Sequence, residues 1–76
     1  MEKERIIEII ADVLSIDIER VTPEEDLRRN LGADSIDLVH LIMVFEDTFD
    51  IELSDDEVSH IKTVQDILDY AEKVGL

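Results

Sequence analysis

The sequence predicts an all-α fold, a small up-and-down-like bundle of three principal helices plus one short helix, with a long loop between the first and second helices. Apolar residues recur at helical spacing in three separate stretches, and capping signals stand ahead of the later ones. No segment alternates with the period of two that a half-buried strand needs. At 76 residues the chain reads as one domain, 1–76, with a single small core and no room for a deep catalytic pocket.

The first helix is expected over roughly residues 3 to 14. Ile6, Ile9, Ile10, Val13 and Leu14 share its apolar side, and Glu2, Lys3, Glu4, Arg5, Glu8 and Asp12 fill the rest. From Ser15 to Ala33 the periodicity stops and isolated apolar anchors remain: Ile16, Ile18, Val21, Leu27 and Leu31. Within this connection "TPEE" predicts one short helical turn, with Thr22 as cap, Pro23 at the first helical position and Glu25 completing a capping box. A second helix is expected from about Ser35 to Asp50, with Asp34 as N-cap and Asp37 beside the first-turn amides. Leu38, Leu41, Ile42, Phe45 and Phe49 form its core face. Ile36, Val39 and Met43 make a second apolar line, bordered by Asp37, Glu46 and Asp47. That second line has two readings, contact with the long loop or another helix, or a strip for a partner with an apolar patch and a basic rim. "SDDE" opens a short helix ending near Ser59 with Val58 turned inward, and Thr63 caps the last helix. There Val64, Ile67, Leu68, Ala71 and Val74 supply the inward stripe and Gly75 a stop.

Composition narrows the function classes. Apolar residues make up 45% of the chain, with one Tyr, two Phe and no Trp, so the core is aliphatic and pliable. There is no cysteine, hence no disulfide, thiolate ligand or thiol nucleophile, which fits a reducing compartment. The absence of a long apolar run and of a small-residue cleavage site leads us to expect a soluble, cytoplasmic, unprocessed chain without membrane insertion. The chain is also expected to be a monomer. The formal net charge is −14, from 21 acidic and 7 basic residues, and no Lys or Arg occurs from Asn30 through Ile61. Nucleic acid is therefore a poor partner and basic protein surfaces are good ones.

Catalytic constellations are missing. His40 follows Ser35 by five positions and so points about 140° away around a helix, where it cannot act as that hydroxyl's base. His60 stands at the end of the short helix, suited to its terminal carbonyls. Two separated histidines make no transition-metal site. Asp50, Glu52 and Ser54 imitate the first ligands of a calcium loop, but Asp55 occupies the place of the tight-turn glycine. What remains is "LGADSIDLV", in which a hydroxyl sits between two carboxylates at a helix start. A phosphate attached there would gain roughly 0.3 to 1 kcal/mol from the helix dipole, while Asp34 and Asp37 oppose it on a charge count. The arrangement suits a hydroxyl presented to an enzyme that recognises the surrounding acids better than a cradle for a free anion.

"LGADSIDLVHLIMVFEDTFDIELSDDEV" followed by "IKTVQDILDY" resembles the acyl carrier proteins of dissociated fatty acid synthesis, over essentially the whole chain. The resemblance implies that Ser35 is the attachment point of 4′-phosphopantetheine, transferred from coenzyme A by a phosphopantetheinyl transferase. It also implies that the chain is a carrier and not an enzyme, with acyl chains held as thioesters on the thiol of the arm. By the same likeness Asp34, Ile36, Asp37, Val39, Met43, Glu46 and Asp47 match a recognition helix that meets basic patches on fatty acid synthesis enzymes, and the aliphatic core shelters acyl chains. Some positions depart from the family's usual pattern. Arg28, Arg29 and Asn30 stand where acids are common, as does His40, and Ile36 and Ser54 replace a commoner leucine and proline. These departures leave open a specialised carrier for another lipid, polyketide or D-alanyl transfer pathway. An acidic helical interaction protein without a prosthetic group is the alternative of a different class.

Overall fold

The computed structural model describes residues 2–76 as four α-helices: α1 (Lys3–Leu14), α2 (Ser35–Phe49), α3 (Asp55–Ser59) and α4 (Val64–Lys73). Among the described residues there is no strand, only an isolated bridge between Asp26 and Thr63. The bounds follow the expected ones closely because the termination chemistry is local. Ser15 and Asp50 close α1 and α2 in the left-handed conformation, at φ of 55° and 53°. Gly75, at φ 82°, follows α4, where left-handed backbone suits a residue without a Cβ.

Capping boxes start three of the helices among the described residues. Asp34 pairs with Asp37 at α2, Ser54 with Glu57 at α3, and Thr63 with Asp66 at α4, each satisfying amides that the helix leaves unpaired. The carboxyl of Glu57 lies below its ordinary pKa, held mainly by the Ser54 backbone N–H and then by the Ser54 hydroxyl. For Asp66, partial burial pushes the pKa up, but hydrogen bonds from the Lys62 and Thr63 amides and the Thr63 hydroxyl outweigh it, leaving a net lowering. Burial, and then the charge of Glu57, raise the pKa of Tyr70.

The core is aliphatic. Ile6, Ile10, Leu27, Leu41 and Val64 are the largest fully buried side chains, joined by Phe45, Ile67, Leu68 and Ala71. The long connection contributes Val21, Leu27, Leu31 and Ala33 to this core and is tied to the start of α4 by backbone hydrogen bonds. Leu27 N–H donates to the Lys62 carbonyl at 2.9 Å, Val64 N–H to Glu25 at 3.0 Å and Gln65 N–H to Pro23 at 2.9 Å. A loop anchored on both sides in this way is a fixed part of the scaffold.

Three expectations are corrected. The "TPEE" stretch makes a turn closed by Glu25 N–H to the Thr22 carbonyl at 3.1 Å, not a helical turn with a capping box. The Thr22 hydroxyl goes instead to Glu24, at 3.0 Å, and Glu25 spends its carbonyl on Val64. The helical turn of this connection is a 3₁₀ segment earlier on, Ile18–Arg20, and Ile18 is 45% exposed, not an anchor. Val74 is 41% exposed because α4 ends at Lys73 and the C-cap turns out of the inward stripe.

Candidate functional site

Ser35 is the first residue of α2 and is exposed. The preceding loop determines its surroundings. Asp26 Oδ1 accepts the amides of Arg28 and Arg29 at 3.0 and 2.9 Å, and the Asp26 carbonyl accepts those of Asn30 and Leu31 at 2.9 and 3.2 Å. Gly32 then reverses the chain at φ 75°, Ala33 N–H closes on the Leu27 carbonyl at 2.9 Å, and Asp34 is extended. A residue with a Cβ at position 32 would be strained by that φ alone, since nothing crowds the position.

The two carboxylates flanking Ser35 face the backbone. Asp34 Oδ1 accepts from Asp37 N–H at 2.8 Å, and Asp37 Oδ2 accepts from Asp34 N–H at 3.1 Å. One oxygen of each is thus committed to holding the helix start. The side chain on the hydroxyl itself is cationic: Arg28 Nη2 donates to Ser35 Oγ at 3.1 Å. A guanidinium cannot accept the hydroxyl proton, so this contact does not make Ser35 a base-activated nucleophile of the hydrolase kind. Sequence reasoning did not place Arg28 here. Its side chain crosses from a turn seven residues upstream, and neither helical periodicity nor motif spacing records such a crossing.

The second apolar line of α2 has no cover. Ile36 is 78% exposed, Val39 61% and Met43 60%, so neither the long loop nor another helix packs over it. The other predicted site residues divide. Asp34 and Asp47 are exposed, Asp37 is half-buried within its capping box, and Glu46 is half-buried. One oxygen of Glu46 accepts the Leu53 amide at 2.9 Å, so this residue also fixes the α2–α3 connection. Beside the line runs an open groove of about 830 Å³ between α2 and the α3 region, with Leu38, Ile42, Met43, Val58 and Ile61 in its walls. Ser35, Arg28, Arg29 and Lys62 also border it.

The remaining candidates supply no chemistry at this place. His40 is exposed, and His60 Nδ1 donates to the Asp56 carbonyl at 2.7 Å, finishing the short helix as expected. Among the described residues no group of three or more His, Cys, Asp or Glu is arranged to hold a metal ion, and no helix is long and apolar enough to cross a membrane. The site therefore consists of an exposed hydroxyl on a rigid helix start, a cation on that hydroxyl, an uncovered apolar strip with acidic neighbours, and an aliphatic groove.

Comparison with known proteins gives concordant matches. The family model for the phosphopantetheine attachment site matches residues 4–71. An acyl carrier protein of Syntrophobacter fumaroxidans is 46% identical over 69 residues, which cover 91% of this chain and 85% of the relative. One from Thermosynechococcus vestitus is 48% identical over 67 residues, 88% of this chain and 83% of the relative. A solved acyl carrier protein structure from Mycobacterium tuberculosis superposes with a TM-score of 0.90 at 34% identity, covering 97% of this chain and 99% of that one.

Proposed function

The chain belongs to the acyl carrier protein family, whose prosthetic group is 4′-phosphopantetheine and whose members are carriers and not enzymes, and from that premise we propose that Ser35 bears the arm and that the chain serves fatty acid synthesis. When bound, the arm supplies the thiol that this cysteine-free chain lacks, so that acyl groups are carried as thioesters.

The residues present fit the group. Ser35 Oγ is accessible, its neighbouring carboxylates are engaged by backbone amides, and the contact it receives is from a cation suited to a phosphodiester. Phosphopantetheinyl transferase, acyl chains and synthesis enzymes are the family's partners in general. For this chain we assign their docking to Asp34, Ile36, Asp37, Val39, Met43, Glu46 and Asp47. The acids steer a basic partner surface and the small uncovered strip adds limited, reversible affinity, which a carrier needs in order to leave. The α2–α3 groove is the place where a bound acyl chain would withdraw from water. Its aliphatic walls are compatible with methylene burial at about 0.8 kcal/mol per CH₂. This reading takes residues 1–76 as one carrier domain, cytoplasmic and monomeric.

The observation that carries the proposal is the exposed Ser35 at a capped helix start inside the family match. Intact mass before and after incubation with coenzyme A, magnesium and a phosphopantetheinyl transferase tests it. The expected result is a gain of one phosphopantetheine, roughly 340 Da from the formula of the cofactor, in the starting chain and none in Ser35→Ala. A Ser35→Ala chain that still gains the mass would show the tether to be elsewhere. Supplying the loaded chain to fatty acid synthesis enzymes, and separately to polyketide or D-alanyl transfer enzymes, distinguishes the pathways by which set turns it over.

A further inference from the structure

The helix start presents an electrostatic conflict. A phosphodiester on Ser35 would add a negative charge between Asp34 and Asp37, in a chain already at −14. The capping box eases this only in part, because each carboxylate keeps its charge while one oxygen faces an amide. The structure supplies the missing positive charge from the long loop. Arg28 Nη2 already lies 3.1 Å from the oxygen to which the phosphate would be bonded. Its backbone is fixed, since the Arg28 amide is held by Asp26 Oδ1 at 3.0 Å and the loop is bound to the start of α4 through Leu27 and Lys62 at 2.9 Å.

We propose that Arg28 is a built-in counter-ion for the phosphate of the prosthetic arm, a positioning residue that holds the base of the arm at the rim of the α2–α3 groove. The inference rests on Ser35 being the tether. Its physical basis is that a guanidinium donates to phosphate oxygens through charge-assisted hydrogen bonds, stronger than the single bond to a neutral hydroxyl seen here. Because Arg28 and Ser35 both border the groove, the pairing biases the arm toward it and away from free solvent. Arg29 borders the same rim without a hydrogen bond to Ser35 Oγ, and so serves as an internal control for the general positive field of the loop.

The test uses apo and phosphopantetheine-loaded forms of the starting chain and of Arg28→Gln, Arg28→Lys and Arg29→Gln, with loading verified by intact mass and Ser35→Ala alongside. Two readouts are taken by NMR: the ³¹P resonance of the diester with the relaxation of the arm methylenes, and the side-chain Nε–H resonance of Arg28. Loading is expected to shift Arg28 Nε–H at low salt, and the shift is expected to fade as salt rises to about 1 M, where the screening length is about 3 Å. Arg28→Gln should displace the ³¹P resonance and free the arm, Arg28→Lys should recover part of both changes, and Arg29→Gln should leave both as they were. Identical ³¹P resonance and arm relaxation in Arg28→Gln and the starting chain would overturn the proposal, as would an equal change in Arg29→Gln. If Ser35→Ala still loads, the tether assignment fails and the clamp with it. If Ser35→Ala does not load while Arg28→Gln behaves as the starting chain, the clamp alone fails.

Discussion

Both α2 and α4 start from a capping box whose third residue is an aspartate, Asp37 in one and Asp66 in the other, yet the residue after the cap is an exposed serine in α2 and a fully buried valine in α4. The divergence continues along their lengths. In α4, Val64, Ile67, Leu68 and Ala71 all face the core, whereas α2 is richer in apolar residues but fully buries only Leu41 and Phe45 and leaves Ile36, Val39 and Met43 outside. A sequence that spends apolar residues on an uncovered face gives up solubility for something other than stability. The contrast separates a helix that holds the fold from one that presents the site.

The largest effect should come from the buried side. Leu68→Ala is expected to cost about 2 to 5 kcal/mol by losing transfer energy and leaving a cavity. In a chain of 76 residues that is a large fraction of the total stability. Urea unfolding should show a reduced midpoint with unchanged slope. If Leu68→Ala unfolds no more easily than Met43→Ala, the division between a structural and a presenting helix is wrong.

The capping boxes set the next scale. Asp66 accepts the amides of both Lys62 and Thr63, at 2.9 and 3.0 Å, and Thr63 Oγ1 accepts the Asp66 amide at 3.1 Å. Asp66→Asn weakens the charged part of this arrangement, at a cost of about 0.5 to 2 kcal/mol as for other caps. The sign with pH follows from the lowered pKa values of Asp66 and Glu57. Both groups contribute stability that is fully present above their unfolded pKa values and is lost as pH falls through the depressed folded ones. Thermal melts from pH 6 downward should therefore show an acid limb that is shallower in Asp66→Asn. An unchanged limb would place the acid sensitivity at Glu57 and the α3 cap instead, because protonation of repelling acids such as those on the charge-rich α2 face favours the folded state.

That face predicts a weaker, opposite-tending response near neutrality. With 21 acidic and 7 basic residues, mutual repulsion opposes the compact state, so added salt or millimolar divalent cations should raise the melting temperature at pH 7. Asp47 stands exposed on α2, whereas the charge of Asp66 is met by amides. A flat melting temperature across the salt series would mean that the acids are spaced widely enough not to interact.

How much of this could be read beforehand depended on how local each cause was. The bounds of α2, α3 and α4 were legible because Asp34–Asp37, Ser54–Glu57 and Thr63–Asp66 are three-residue patterns whose chemistry is complete within one turn. The "TPEE" pattern has the same form and misled, because Glu25 and Pro23 give their carbonyls to Val64 and Gln65, residues some forty positions away. Tertiary pairing there overrode a local signal. Val74 misled for a geometric reason, since it continues the α4 periodicity one step past the point where the backbone leaves the helix. Ser35, the acids and the second stripe were visible as a motif on a helix, while the openness of that stripe and the Arg28 contact depend on what the loop does in space.

The smallest expected stability change is the one that sharpens the comparison most. Ile36→Ala and Met43→Ala remove apolar atoms that already stand in water, so unfolding free energy should move by no more than about 0.5 kcal/mol. Their effect should fall on encounters with partners, and it should differ in kind from that of the acids beside them. Losing apolar contact shortens the life of a complex, raising the dissociation rate with little change in association. Asp47→Asn should slow association, most at low salt, and leave dissociation nearly unchanged. Stopped-flow measurement of a synthase or transferase binding to the loaded chain, at low and high ionic strength, separates the two. If Ile36→Ala instead lowers the association rate with the same salt dependence as Asp47→Asn, the strip works by shaping the charged surface and not by contact, and its exposure on α2 needs a different explanation from the one the contrast with α4 provides.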